Sequence, residues 1–158
     1  MVPLVIGATG FIGRTLAARL AGDGHPVRVL VRHPGRADAI LGGIEGLEIV
    51  MGDLLEPGSI LRALGPEDTV VYLATSLSSL SSESSVEEAD RRMLTNLCRA
   101  LSISNPPRVI MLCPLFSEGR STTKYAESRI ELEVMLQESG IPCAIFRSPP
   151  VIGRWGIL

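Results

Sequence analysis

Six short apolar runs, rich in β-branched residues, recur along the chain at Val2–Ile6, Val27–Val31, Leu47–Met51, Thr69–Ala74, Val109–Cys113 and Cys143–Phe146. Each is too short for a helix, and the segments between them are long enough to hold one. Ile12, Leu16 and Leu20 share one helical face, so Thr15–Leu20 continues a first helix. Pro57–Leu64 opens on a proline and stops at Gly65-Pro66, while Val86–Ser102 and Lys124–Ser139 read as long helices. Gly140 and Pro142 end the last of them. Near-continuous apolar strands alternating with helices predict a parallel sheet covered on both faces, and crossover handedness favours a doubly wound α/β fold with strand order 3-2-1-4-5-6.

The turn after the first strand reads Gly7-Ala8-Thr9-Gly10-Phe11-Ile12-Gly13. Strand, glycine turn and helix in that order form the context of a dinucleotide-binding motif in a Rossmann-type fold. Glycines let the backbone turn sharply and approach a pyrophosphate, whose charge is held by the amides and positive dipole end of the following helix. The plainer alternative is a strand-to-helix turn with no ligand.

At 158 residues the chain has the length of one domain, 1–158, and its 46% hydrophobic content suffices for a substantial core. A net charge of −2 with no basic cluster argues against nucleic acid and anionic membrane as partners. The apolar start lacks a basic flank, and no stretch approaches the roughly 18 to 20 apolar residues of a membrane span, so a cytoplasmic location is expected. Cys98, Cys113 and Cys143 are odd in number and lie far apart, as reduced and mostly buried thiols do. His25 and His33 stand in loop-like sequence beside proline without metal-ligand spacing, and no metal site is expected.

Seven of the ten residues from Ser76 to Ser85 are serine. Following the fourth strand, this stretch should border the crevice where strand order reverses, either as a lid or as a tolerated flexible insertion. The second strand ends Val31-Arg32, with His33 and Arg36 close behind and no Asp or Glu before Asp38. NAD-preferring folds place a carboxylate there for the ribose hydroxyls; a cationic end suits the 2′-phosphate of NADP, with NAD the weaker fit. Arg32 has a second reading as a solvated strand-end charge.

The GATGFIG turn, the LVR strand end and the Gly52-Asp53-Leu54 motif together resemble the atypical branch of the short-chain dehydrogenase/reductase superfamily, of epimerase/dehydratase or NmrA-like type, over nearly the whole chain. The resemblance implies that Asp53, with Leu54 beside it, contacts adenine, and that Leu73, Ala74 and Thr75 line the cofactor. Asp53 also has a reading as the cap of the helix starting near Pro57.

The superfamily's chemistry rests on Ser, Tyr and Lys, the last two at YxxxK spacing on one helix face. Here Tyr125-Ala126-Glu127-Ser128-Arg129 keeps the spacing but replaces lysine by arginine, and Cys113 stands twelve residues upstream where a Ser or Thr is usual. Arginine still donates hydrogen bonds and positive charge, but its pKa above roughly 12 bars it from a proton relay. A thiol is a weak donor towards a carbonyl, and Cys113 reads more simply as a buried strand-end residue than as a nucleophile. Tyr125 has a parallel reading as a half-buried helix aromatic. The stretch through Ser128-Arg129 is similar to a subgroup that carries a further C-terminal domain.

Relatives continue well beyond the sixth strand to build the substrate side, so this chain is expected to hold the cofactor domain without it. Either the chain is a fragment or natural truncation that retains the cofactor domain, or a second copy or another partner completes the pocket, and Trp155, Ile157 and Leu158 suit such an interface. Three readings follow. The first is an NADP-binding domain of a reductase acting on a small carbonyl or alcohol, with Tyr125 as proton donor and Arg129 holding ribose. The second is a non-catalytic NADP-binding regulator or assembly factor. The third, disfavoured by the intact glycine turn, is a cofactor-free interaction module.

Overall fold

Alternation within the first strand decides which helices cover which side of the sheet. In the computed structural model, Leu4 and Ile6 of β1 (Val2–Ile6) face one core and Val5 faces the other. The structure describes residues 2–66, 68–76, 83–103, 108–115, 124–153 and 156–157.

The core around Val5 is closed by α1 (Phe11–Gly22) and α2 (Pro34–Leu41), which pack on β2 (Val27–Val31) and β3 (Leu47–Met51). Gly13 and Ala17 are the buried residues of α1, with Leu16 and Leu20 packed at the sides. The helix thus rests on its smallest residues rather than on the Ile12, Leu16 and Leu20 stripe, which brings its axis close to the sheet. The other core lies under α3 (Pro57–Ala63), α4 (Glu83–Ile103) and α5 (Lys124–Glu138), against β4 (Asp68–Tyr72), β5 (Val109–Pro114) and β6 (Cys143–Ser148). Leu94, Leu97 and Leu101 from α4 and Leu132 and Leu136 from α5 are fully enclosed there. Each such leucine contributes about 1.5–3 kcal/mol by leaving water.

The six strands run in the order β3-β2-β1-β4-β5-β6, all parallel, with helices on both faces. This is the doubly wound Rossmann arrangement expected from the apolar pattern. Ile6 pairs with Leu30 on one side and Tyr72 on the other, so the strand order reverses at β1 and leaves a crevice at its carboxyl end. A two-stranded antiparallel piece, β7 (Ile152–Gly153) with β8 (Gly156–Ile157), follows the sheet.

Several sequence expectations need correction. The fourth strand stops at Tyr72, not Ala74, because Leu73 leaves the ladder after donating its N–H to the Ile6 carbonyl at 2.9 Å. α2 was not anticipated. His33 is therefore not simply a loop residue but the N-cap of a helix that starts on Pro34 and buries Ala37 and Leu41. Asp53 does not cap α3, whose N-cap is Glu56; its Oδ1 instead accepts the Leu55 N–H at 2.9 Å. The β7–β8 pair was likewise unforeseen; β1, β2 and β3 have the expected bounds, while α4 begins three residues earlier than expected and β6 ends two residues later. Residues 77–82 of the serine-rich stretch lie outside the described residues, as do Trp155, Leu158 and the side chain of Ile157. Among the described residues no helix is long and apolar enough to cross a membrane.

Candidate nucleotide site

A cleft of about 380 Å³ opens over the carboxyl ends of β1 to β4. Its floor is the glycine turn. Gly7 has φ +91°, a conformation that L side chains avoid, and a Cβ there would stand 2.9 Å from the Ala74 nitrogen. The turn and the segment after β4 are thus pressed together by the absence of a side chain. Gly10 caps α1 without a side-chain hydrogen bond, and no acidic residue stands in that helix's first turn. The positive end of that helix therefore stands beside the cleft, at Gly10, with no acidic residue to offset it. A cradle closed to a Cβ but open to an anion fits a dinucleotide.

The second strand delivers Arg32 to the rim, followed by His33 and Arg36, and all three line the cleft and are exposed. None of the three makes an ion pair among the described residues, and no carboxylate stands between Val31 and Asp38. Across the cleft, Gly52 is buried so tightly that a Cβ would meet Leu30 Cδ1 at 2.7 Å. Asp53 follows, oriented by Ser59, whose Oγ accepts the Asp53 N–H at 2.8 Å and donates back to the Asp53 carbonyl at 2.9 Å. Asn96 of α4 donates to the Leu54 carbonyl at 2.9 Å and so fastens the same turn from behind.

Of the residues singled out from sequence, Gly7, Thr9, Gly10, Arg32, Arg36, Asp53, Leu54, Leu73, Ala74 and Thr75 meet in this cleft. Ala8, Phe11, Ile12 and Gly13 do not line it. Ala8 is fully buried, and Phe11 leaves so little room beside Gly153 that a Cβ there would approach its Cζ to 2.8 Å. Ser76 borders the cleft as its place after the fourth strand implies, but sequence reasoning missed Ala89 and Met93, which close the side towards α4, and Ile40 and Leu55, which add apolar surface to the lining. Their spacing carries no motif; only the topology gathers them.

Tyr125, Arg129 and Cys113 lie outside the lining. Cys113 is buried, and burial, with Glu133 nearby, pushes its thiol up from 9.0 to about 11, against the opposing charges of Arg129 and Arg147. It is a thiol, not a thiolate, at neutral pH. Arg129 is 5% exposed and ion-paired with Asp90, itself 1% exposed. Its guanidinium also lies 5.3 Å from the centroid of the half-buried Tyr125 ring. Tyr72, beneath them in β4, is buried with its hydroxyl unpartnered among the described residues, and burial holds its phenol far above the ordinary range. Among the described residues no cluster of three His, Cys, Asp or Glu could hold a metal.

Known proteins resemble the chain in the same terms. The (4-alkanoyl-5-oxo-2,5-dihydrofuran-3-yl)methyl phosphate reductase of Streptomyces griseus is 44% identical over 144 residues, 91% of this chain and 46% of that protein. The photosystem II assembly factor Ycf39 of Cyanophora paradoxa is 31% identical over 147 residues, 91% of this chain and 44% of that one. The chain spans about half the length of the curated relatives it matches. Among solved structures, Bordetella bronchiseptica WbmH in complex with NAD+ superposes with a TM-score of 0.79 at 20% identity, covering 98% of this chain and 57% of that one. The Citrobacter sp. triphenylmethane reductase complexed with NADP(H) gives 0.72 at 20% identity, covering 92% and 49%. At such identities the likeness is one of fold. A family model described as NAD(P)H-binding matches residues 7–149, from the first glycine of the cradle to the end of the sixth strand. With nearly the whole chain inside that match, the protein belongs to the NAD(P)H-binding family.

Proposed function

We propose that the chain is the NADP-binding domain of an atypical short-chain reductase that transfers hydride between the nicotinamide and a small carbonyl or alcohol. The observation that carries the cofactor choice is the pair of cationic side chains Arg32 and Arg36 on the rim, with no carboxylate at the end of β2 to receive ribose hydroxyls. Gly7, Thr9 and Gly10 hold the pyrophosphate, Asp53 and Leu54 the adenosine end, and Leu73, Ala74 and Thr75 the wall towards the nicotinamide. When bound, the dinucleotide supplies or accepts the hydride. Tyr125 gives its hydroxyl proton to the substrate oxygen. Arg129 holds that ring in place through the face it presents to it and supplies positive charge nearby, but takes no part in a relay. Cys113, buried and protonated, supports the strand end and does no chemistry. The free thiols suit a cytoplasmic setting.

A second reading is a non-catalytic NADP-binding regulator or assembly factor. It is favoured by the engagement of Arg129 with Asp90, which occupies the position that replaces the superfamily's lysine, and by the likeness to Ycf39. Calorimetric titration with NADPH and NADH, followed by an NADPH-oxidation assay over a panel of small aldehydes and ketones, separates the two. Tight NADPH binding with no turnover, even when the chain is supplied with a complete substrate side, favours the second. Preference for NADH overturns the cofactor assignment.

A further inference from the structure

Asp90 was singled out by no motif, yet it is the most enclosed acidic side chain described, at 1% exposure. Three groups converge on its carboxylate from two other parts of the fold. The Ser76 N–H donates to Oδ1 at 2.7 Å, the Thr75 hydroxyl donates to Oδ2 at 3.1 Å, and Arg129 Nη2 pairs with the same Oδ2. Ser76 is fastened a second time to α4, its own hydroxyl donating to the Val86 carbonyl at 3.1 Å. Thr75 and Ser76 line the cleft, whereas Asp90 and Arg129 do not.

A carboxylate withdrawn from water is costly without an opposite charge beside it and hydrogen bonds to its remaining lone pairs. Both conditions are met here, and both impose direction. A backbone N–H held by a carboxylate fixes the plane of its peptide, so the wall of the cleft is oriented from α4. The counter-charge comes from α5, the helix that carries Tyr125. Removing either partner leaves the other as an uncompensated buried charge.

We propose that Asp90 is a positioning residue, which through its pair with Arg129 locks the Thr75–Ser76 wall of the nucleotide cleft to the Tyr125 helix. Nucleotide affinity then depends on an ion pair that touches no nucleotide. This rests on the nucleotide reading of the cleft, and it adds to that reading a link between the cofactor wall and α5.

The test is NADPH titration of the wild-type chain, of Asp90→Asn, and of Asp90→Asn combined with Arg129→Gln, with hydrogen exchange at the Ser76 amide followed in each. Asp90→Asn keeps the shape but strands the guanidinium. It is expected to weaken NADPH about tenfold and to speed Ser76 exchange. The double variant replaces an ion pair by two amides that hydrogen-bond without charge, and affinity and protection are expected to recover most of that loss. A fall in melting temperature with unchanged affinity and exchange in folded Asp90→Asn overturns the positioning role while leaving the nucleotide reading intact. Wild-type chain that binds neither NADPH nor NADH overturns both. Should Asp90→Asn fail to fold, the double variant decides: a folded pair of amides that binds NADPH no better than Arg129→Gln alone also refutes the role.

Discussion

Gly13 lies against Gly7 so closely that a Cβ on the former would stand 2.2 Å from the carbonyl oxygen of the latter. The corresponding distance from Gly10 is 3.2 Å, so the two glycines of α1's start do different work. Gly13 lets helix meet strand; a Cβ on Gly10 would meet only that oxygen and otherwise project into open space beside the cleft. Gly13→Val is therefore expected to lower the melting temperature as well as abolish NADPH binding, because backbone must move. Gly10→Val should lose binding with a smaller loss of stability. Thermal denaturation alongside titration checks both, and a Gly10 variant with wild-type affinity contradicts the cradle.

The rim makes a second expectation. Arg32→Glu should weaken NADPH more than NADH, since a charge-assisted contact to the 2′-phosphate is worth about 1.5–3 kcal/mol and the reversed charge adds repulsion. The difference should shrink at high ionic strength because Arg32 is exposed. Equal losses for the two nucleotides would mean that Arg32 reads no phosphate.

Strand order and the glycine cradle were legible because they rest on local rules: apolar runs too short for helices, and glycine where a turn must close. α2 escaped because its eight residues bury only Ala37 and Leu41, too little periodicity to stand out beside a proline. Asp90 escaped for another reason. It stands among Glu87, Glu88, Arg91 and Arg92, which reads as a solvated face. Yet it shares a stripe with Val86, Leu94, Leu97 and Leu101, all buried, and a charged residue in phase with such a stripe was the available signal. Its partners Thr75, Ser76 and Arg129 are 14 to 39 residues away, a distance no spacing rule spans.

The buried thiol of Cys113 gives the protein a pH dependence whose sign is fixed. Burial raises its value from 9.0 to about 11, so the folded chain holds this proton more tightly than the unfolded chain does. The resulting stabilisation is complete below about pH 9 and is lost as pH rises towards about 11. Melting temperature should fall over that window, and Cys113→Ala should make the fall shallower. Native Cys113 should also resist thiolate-directed alkylation at pH 8 and react once the chain is unfolded, as read by mass spectrometry of the peptide. Rapid labelling of the native thiol would contradict its enclosed, protonated state.

Tyr125 and Arg129 separate the enzyme from its non-catalytic rival. If Tyr125 donates the proton, Tyr125→Phe should remove turnover while leaving NADPH affinity nearly intact, because the ring that covers Arg129 remains. Arg129→Ala strands the Asp90 carboxylate and should destabilise the fold by about 3–5 kcal/mol, so its loss of binding says little about ribose. Arg129→Lys is the informative change. It restores the superfamily's YxxxK pattern and keeps a charge for Asp90, but gives up the planar fork and much of the contact with the Tyr125 face. A higher turnover in Arg129→Lys would mean that a group able to pass a proton is what the chain lacks. Lower turnover and weaker NADPH binding together are the expected result if the guanidinium's role is to hold Asp90 and Tyr125. Because the chain spans about half the length of its curated relatives, the assay is run on the protein at its full length. Under that condition, NADPH oxidation that proceeds equally well in Tyr125→Phe removes the proton-donor role and leaves the regulator reading as the better account.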